Sequence, residues 1–302
     1  MEKTGIINLE ELQLTNFEEI INSKKGFLSY QNKGYFYKRC KEDLAYREII
    51  AHEICNLLNI PSIFYQIIEL PAGKYIGNSG VICKDYRENY HTYVKGYNIL
   101  KDYYDEFLHV WTYNDRVNSP MFNNLEDIWN ALEYRYRFSN DKPIIIKEIF
   151  DNLIYNVFLF DIFNSNADRH FHNWEIDENI KNDTSKLNIN YDNEDIFLYD
   201  YNIPELAVNR STNKYDFYDT LREFLIVTET EYLDKTLEIF NTLTPNTMIE
   251  IIKLTEVKHK IEIPQKTKED IISKYLRHYE NINKVLKEFL PKLKKKSLII
   301  DK

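Results

Sequence analysis

Apolar and polar positions along this chain follow two regimes, a strand-like one first and a helical one after it. Gly26–Tyr30 and Gly34–Lys38 read as two strands joined by a turn at Gln31-Asn32-Lys33-Gly34. Asp43 is placed to cap a helix running to about Leu58, because Ile49, Ile50, Ile54, Leu57 and Leu58 recur at helical spacing. Asn59 stops that helix and Pro61 prevents its continuation. Two more strands are expected, Ser62–Leu70 and Tyr75–Lys84, across a Pro71-Ala72-Gly73 turn.

From about Asn98 the helical period dominates. Leu125–Tyr136 and Ile146–Phe163 are the clearest helices, the second carrying Ile149, Leu153, Val157 and Phe160 on one face and delivering the chain to Asn164. Lys186–Leu198 alternates as a hairpin would, and Thr212–Phe240, Asn246–Thr255 and Lys266–Leu290 read as helices. A β-rich part followed by a helical part predicts an α+β chain with two lobes, residues 1–90 and 91–302.

Composition narrows the class of function. With 302 residues, 43% hydrophobic and 15% aromatic, the chain can bury a substantial core. A net charge of −9 argues against direct nucleic-acid binding, and the basic run Lys292–Lys296 reads as a solvated helix end. Cys40, Cys55 and Cys83 are odd in number and have no CxxC spacing, so neither a disulfide framework nor a zinc knuckle is expected. No apolar leader follows Met1 and no run is long enough to span a membrane, so a soluble, cytoplasmic protein without membrane partners is the expectation.

One stretch carries chemistry. In Asn164–Trp174 an Asp is followed five residues later by an Asn, and an acidic run, Tyr191–Asp195, lies downstream. Phosphoryl transfer needs that order: an Asp to take or orient the substrate hydroxyl, then an Asn and a second Asp to hold Mg²⁺ against nucleotide phosphates. Asp168, Asn173 and Asp192 fit those roles, with Asn173 and Asp192 as oxygen ligands of the metal. Lys38, at the end of an apolar strand, is the candidate cation for the phosphates, and Glu48 in the next helix is placed to pair with it. His170 is expected to fix the loop backbone, Arg169 to pair with a nearby acid or an incoming phosphate, and Asp161 to anchor the loop from the preceding helix. A transition-metal site on Asp168, His170 and His172 lacks a third nearby His or an HExxH pair. An Asx-rich turn is the plain structural alternative for Asp168 and Asn173.

At these residues the chain resembles the HipA-like serine/threonine kinases, relatives of the phosphatidylinositol 3/4-kinases. The family loop, approximately N-x-D-R/x-H-x-x-N, is similar to Asn166-Ala167-Asp168-Arg169-His170-Phe171-His172-Asn173, and its metal-binding phrase is similar to Asn190-Tyr191-Asp192-Asn193. Glu48 followed by Asn59-Ile60-Pro61 looks like the family's helix exit, and Gly80–Tyr86 like the strand entering the hinge, which places Ile82 and Lys84 beside the nucleotide. The resemblance implies a bilobal protein-kinase-like fold and an ATP- and Mg²⁺-dependent kinase acting on a protein. It implies catalytic roles for Asp168, Lys38, Glu48 and His170, and nucleotide contacts from Lys38, Ile82, Lys84 and Asn173. A toxin-like role with an antitoxin partner is part of the same expectation. A lipid or small-molecule kinase and a nucleotide-binding pseudokinase stay open as alternatives. The departures are the missing GxGxxG loop, which leaves phosphate contacts to Ser23–Tyr30, and Asn190 and Glu194 where the family has Pro and Gly. The last change leaves Asp195 and Asp200 open beside Asp192.

Overall fold

The computed structural model describes residues 5–9, 23–70, 78–107, 125–166, 169, 171–198, 217–227 and 230–300. Its N-terminal part is a five-stranded sheet of order β1-β4-β5-β3-β2, built from β1 (Ile7–Asn8), β2 (Lys25–Tyr30), β3 (Lys33–Cys40), β4 (Gln66–Glu69) and β5 (Ser79–Lys84). β2 and β3 form the expected hairpin, with Tyr30 opposite Lys33. Only Gln31 and Asn32 make the turn, both at positive φ (49° and 60°), the two-residue geometry whose twist matches paired strands.

Helix α1 (Glu42–Leu57) packs against this sheet. It starts at Lys41 with no side-chain cap, where a cap at Asp43 was expected. β3 runs almost directly into the helix, so Glu42 and Asp43 fall in the first turn and complement the helix dipole instead. Residues 45–55 of α1 are buried throughout, because the sheet covers one side and a C-terminal helix covers another. The strand expected over Ser62–Leu70 pairs only over Gln66–Glu69. Ser62 instead forms a parallel bridge to Asn190, and the Ile63 N–H donates to the Asn190 carbonyl at 3.0 Å. Of Tyr75–Lys84, the strand occupies Ser79–Lys84, and residues 71–77 lie outside the described residues.

A second sheet, order β6-β7-β8, joins β6 (His91–Lys95), β7 (Glu175–Asn179) and β8 (Thr184–Leu187). The hairpin expected over Lys186–Leu198 is therefore displaced. β8 pairs backwards with β7, and beyond Leu187 the chain is irregular, with the bridge at Asn190 and turns over residues 194–197. Helices make up the rest: α2 (Gly96–Phe107), α3 (Leu125–Arg135), α4 (Lys142–Leu153), α5 (Leu159–Asn164), α6 (Phe217–Val227), α7 (Thr230–Thr242), α8 (Pro245–His259) and α9 (Gln265–Ile300). The long helix expected at Ile146–Phe163 spans α4 and α5 with a π turn, Ile154–Phe158, between them. The region expected as one helix over Thr212–Phe240 holds α6 and α7, and residues 212–216 and 228–229 lie outside the described residues. α8 is capped by Thr244, whose hydroxyl accepts from the Thr247 N–H at 3.2 Å. The chain is thus α+β, an N-terminal β-sheet followed by a helical C-terminal region. Among the described residues no helix is long and apolar enough to cross a membrane.

Candidate functional site

The two faces of the first sheet separate the candidate residues. Directly paired residues share a face, so Lys38 with Val81 and Phe36 with Cys83 lie on the side toward α1 and the C-terminal region. Tyr35, Tyr37 and Ile82 lie on the other, in a small apolar cluster with Leu28, Ile68 and Leu70. The Ile82 and Lys84 side chains therefore point away from Lys38; both residues border a cleft of about 310 Å³ that Tyr35 and Gln66 also line, together with Cys83, Ile63 and Ile189. What those two positions can offer on the Lys38 side is backbone.

On the inner face, Lys38 meets the downstream acidic run. Its ammonium donates to Asp192 and lies 2.9 Å from Glu194 Oε1. Burial disfavours the cation, but Asp192, Glu194 and Glu48 outweigh it and hold the Lys38 pKa well above its ordinary value. Glu48 is 2% exposed, and its two carboxylate oxygens accept from the Asn193 N–H at 3.1 and 2.9 Å. Burial, then the Asp192 charge, pushes the Glu48 carboxyl up to about 8 despite Lys38 and that backbone donor. Among the described residues, Glu48, Asp192 and Glu194 can each present one atom within 4.8 Å of the others'. Carboxyl oxygens gathered in this way are hard donors of the kind Mg²⁺ prefers, Asp192 among them.

A second cation organises the loop itself. Arg169 is buried, and all three of its nitrogens donate. Nε and Nη2 form a fork on the Asp161 carboxylate at 2.8 and 3.1 Å. Nη1 reaches the backbone carbonyls of Asn173 (2.6 Å) and Tyr191 (2.9 Å), and Nη2 also reaches the side-chain oxygens of Asn190 and Asn193. One planar guanidinium thereby joins the Asn173 segment to the Asp192 segment, a task its rigid fork of donors suits and an ammonium does not. Asp161, fully buried on α5, also accepts from the Asn166 side chain at 2.9 Å. Ser165 turns the chain out of α5 through a left-handed conformation (φ 49°).

The Asn at the family's Pro position belongs to this network. Asn190 donates its amide to the Asn156 carbonyl in the π turn at 3.0 Å, and its backbone N–H to the Pro61 carbonyl at 2.8 Å. The wider π turn leaves a carbonyl free for such an outside donor. The helix exit at Ile60-Pro61 is in this way fastened to the acidic loop. On the far side of Asn173, Gly96 lies against Trp174: a Cβ at Gly96 would come within 2.1 Å of the indole. The Gly96 N–H donates to the Trp174 carbonyl at 3.0 Å.

Asn173 is buried beside Arg169, and Asp192 and Glu48 share the Lys38 cluster. Asp168, His170 and Asp200 lie outside the described residues. Sequence reasoning missed two acids. Glu194 entered it only as a replacement for Gly, yet it is a direct partner of Lys38. Glu175 is 3% exposed and draws in Lys95 at 3.0 Å, the Tyr86 hydroxyl at 3.1 Å and the Asn188 amide at 2.7 Å. Its one signal in the sequence was its place two residues past Asn173, between the apolar Trp174 and Ile176.

These features define a HipA-like kinase fold, and solved structures bear the likeness out over most of the chain. A Helicobacter pylori proinflammatory kinase, CtkA, superposes with a TM-score of 0.60 at 19% identity, covering 88% of this chain and 96% of that one. HipA of Shewanella oneidensis MR-1, solved as a toxin–antitoxin complex with HipB and operator DNA, gives a TM-score of 0.54 at 13% identity. That match covers 88% of this chain and 66% of HipA. The sequence matches no protein-family model and no curated protein sequence.

Proposed function

We propose that this protein is an ATP- and Mg²⁺-dependent serine/threonine protein kinase. The observation that carries the reading is the meeting of Lys38, Glu48 and Asp192 in one cluster, with Asn173 tied to the Asp192 segment through Arg169. Residues 1–90 serve as the nucleotide lobe and 91–302 as the lobe carrying the catalytic and metal loops. Lys38 binds and orients the nucleotide phosphates, and Asp168 accepts or orients the substrate hydroxyl. Asn173 and Asp192 hold Mg²⁺, which when bound neutralises charge on the transferring phosphoryl group. The backbone around Ile82 and Lys84 receives the base, and His170 steadies the loop. The target is a cytoplasmic protein. The HipA complex supports an antitoxin-like partner for this chain too, with no direct contact to nucleic acid at a net charge of −9.

The test is incubation of wild type and Asp168→Ala with γ-labelled ATP and Mg²⁺, read by gel and intact mass. Label on a protein with the wild type alone is the expected result, a loss of about 10²–10⁴ in rate for the variant being the range of one positioned base. Label on inositol lipid or a small acceptor alone would make it a kinase of those substrates. Tight ATP binding with no transfer to any acceptor would make it a pseudokinase.

A further inference from the structure

In the reading above, a lysine must be held for the nucleotide phosphates while the neighbouring Asp serves the cation. The geometry assigns that holding role to an unexpected residue. Lys38 pairs with Glu194 at 2.9 Å and with Asp192, whereas Glu48 engages both of its oxygens with the Asn193 N–H. Asn193 in turn sends its side-chain oxygen to Arg169. Alternate residues of this loop thus divide the work: Asp192 and Glu194 reach the ammonium, and Asn193 links α1 to the buried guanidinium. We propose that Glu194 is the positioning residue for Lys38, and that Glu48, which acts on Lys38 only through its charge, makes its direct contacts with the loop backbone and seats Asn193. The proposal rests on the phosphotransferase reading only for its catalytic consequence; the pairing itself stands without it.

The arrangement has a physical logic. Were Asp192 the sole anchor of Lys38, serving a cation would release the ammonium into a site where burial disfavours it. A second carboxylate two residues away keeps Lys38 in place while Asp192 is occupied. A Gly at position 194, the residue the related phrase carries there, has no side chain with which to do this.

Two readouts test the assignment on the full chain. The first needs no nucleotide: the rate at which an amine-acylating reagent modifies Lys38, mapped by peptide mass. Glu194→Gln removes the charge-assisted hydrogen bond that holds the Lys38 side chain in place, so the amine is reached more readily and reacts about three- to ten-fold faster. Glu194→Asp restores much of the protection, and Glu48→Gln changes it less than Glu194→Gln does. The second readout separates binding from turnover: Glu194→Gln raises KM for ATP about ten-fold, the scale of one charge-assisted hydrogen bond, with melting temperature unchanged. Faster acylation in Glu48→Gln and wild-type protection in Glu194→Gln would overturn the proposal. Should the protein bind no ATP, the function proposed above fails, and the acylation pattern still decides for or against Glu194.

Discussion

Arg169 and Lys38 are both cations held by acids at the junction between the first sheet and the helical region, and they live under different constraints. The Arg169 and Asp161 side chains are 1% and 0% exposed, and every guanidinium nitrogen has a partner. Lys38, Asp192 and Glu194 keep 18%, 29% and 18% of their side-chain surface, and the acids there outnumber the cation. A buried, fully satisfied network specifies one arrangement and tolerates little. A partly hydrated cluster with excess negative charge can exchange partners more cheaply, which is what a site that must accept a charged ligand requires. Under the proposed function the first region is scaffold and the second is the working surface laid on it.

The largest expected effect lies in the scaffold. Arg169→Met leaves the Asp161 charge buried and unpaired, and breaking a buried pair from one side costs about 3–5 kcal/mol. Urea denaturation should show a loss of that size. Arg169→Lys should recover only part of it, since an ammonium cannot make the fork on Asp161 while reaching two carbonyls. Adding Asp161→Asn to Arg169→Met should return stability, because the uncompensated charge is then gone. A wild-type midpoint in Arg169→Met would erase the distinction between the two regions.

The unequal legibility of these regions follows from the same physics. The meeting of Asp161, Arg169, Asn173 and the Asp192 segment was legible because it depends on short spacings that the chain order preserves. Lys38 and Glu48 were legible because a strand and the helix after it bring them together whatever else the chain does. The partnership of Lys38 with Glu194 crosses from the first sheet to a distant loop, and no local pattern encodes it. β7 was missed for a different reason. Three of its five residues are acids, Glu175, Asp177 and Glu178, and such a run reads as solvated loop. Here each acid has a partner: Lys95 for Glu175 at 3.0 Å, His91 for Asp177 at 2.6 Å, and Arg135 for Glu178 at 2.7 Å. The π turn was invisible because its one-residue excess changes the helical period too little to read from apolar spacing.

A pH experiment extends the comparison to the outer layer of the scaffold. His278, on α9, is 2% exposed, with Nε2 2.6 Å from the Ile162 carbonyl and Nδ1 3.1 Å from the Tyr218 hydroxyl. A carbonyl only accepts, so Nε2 carries the proton and Nδ1 accepts from Tyr218 in the neutral ring. Burial pushes the His278 pKa down to about 4, against the carbonyl contact that favours the cation. A histidine depressed in the folded state contributes its stability above the unfolded value of about 6.5, and loses it as pH falls toward 4. Between those limits the loss is about 2–3 kcal/mol. His278→Gln should flatten that part of the stability profile while melting somewhat lower at pH 7. An acid limb as steep in the variant as in wild type would place the titration elsewhere.

The smallest expected change in stability is at Lys38, and it sharpens the comparison most. Lys38→Met removes a cation with two acidic partners, as Arg169→Met removes one with a buried acid. Yet Asp192 and Glu194 keep some contact with water where Asp161 has none, so the loss should be smaller, about 1–2 kcal/mol. Without the ammonium, the Glu48 carboxyl, already raised to about 8, loses the cation that opposed the rise. The variant should therefore gain more stability than wild type as pH falls from about 8 toward 4.5, a trend opposite in sign to that of His278. Nucleotide affinity measured in the same protein should drop about ten-fold or more, because the charge aimed at the phosphates is gone. A variant that keeps its fold and loses its ligand marks Lys38 as working surface. Collapse of the fold on losing Lys38 would make that cluster scaffold as well.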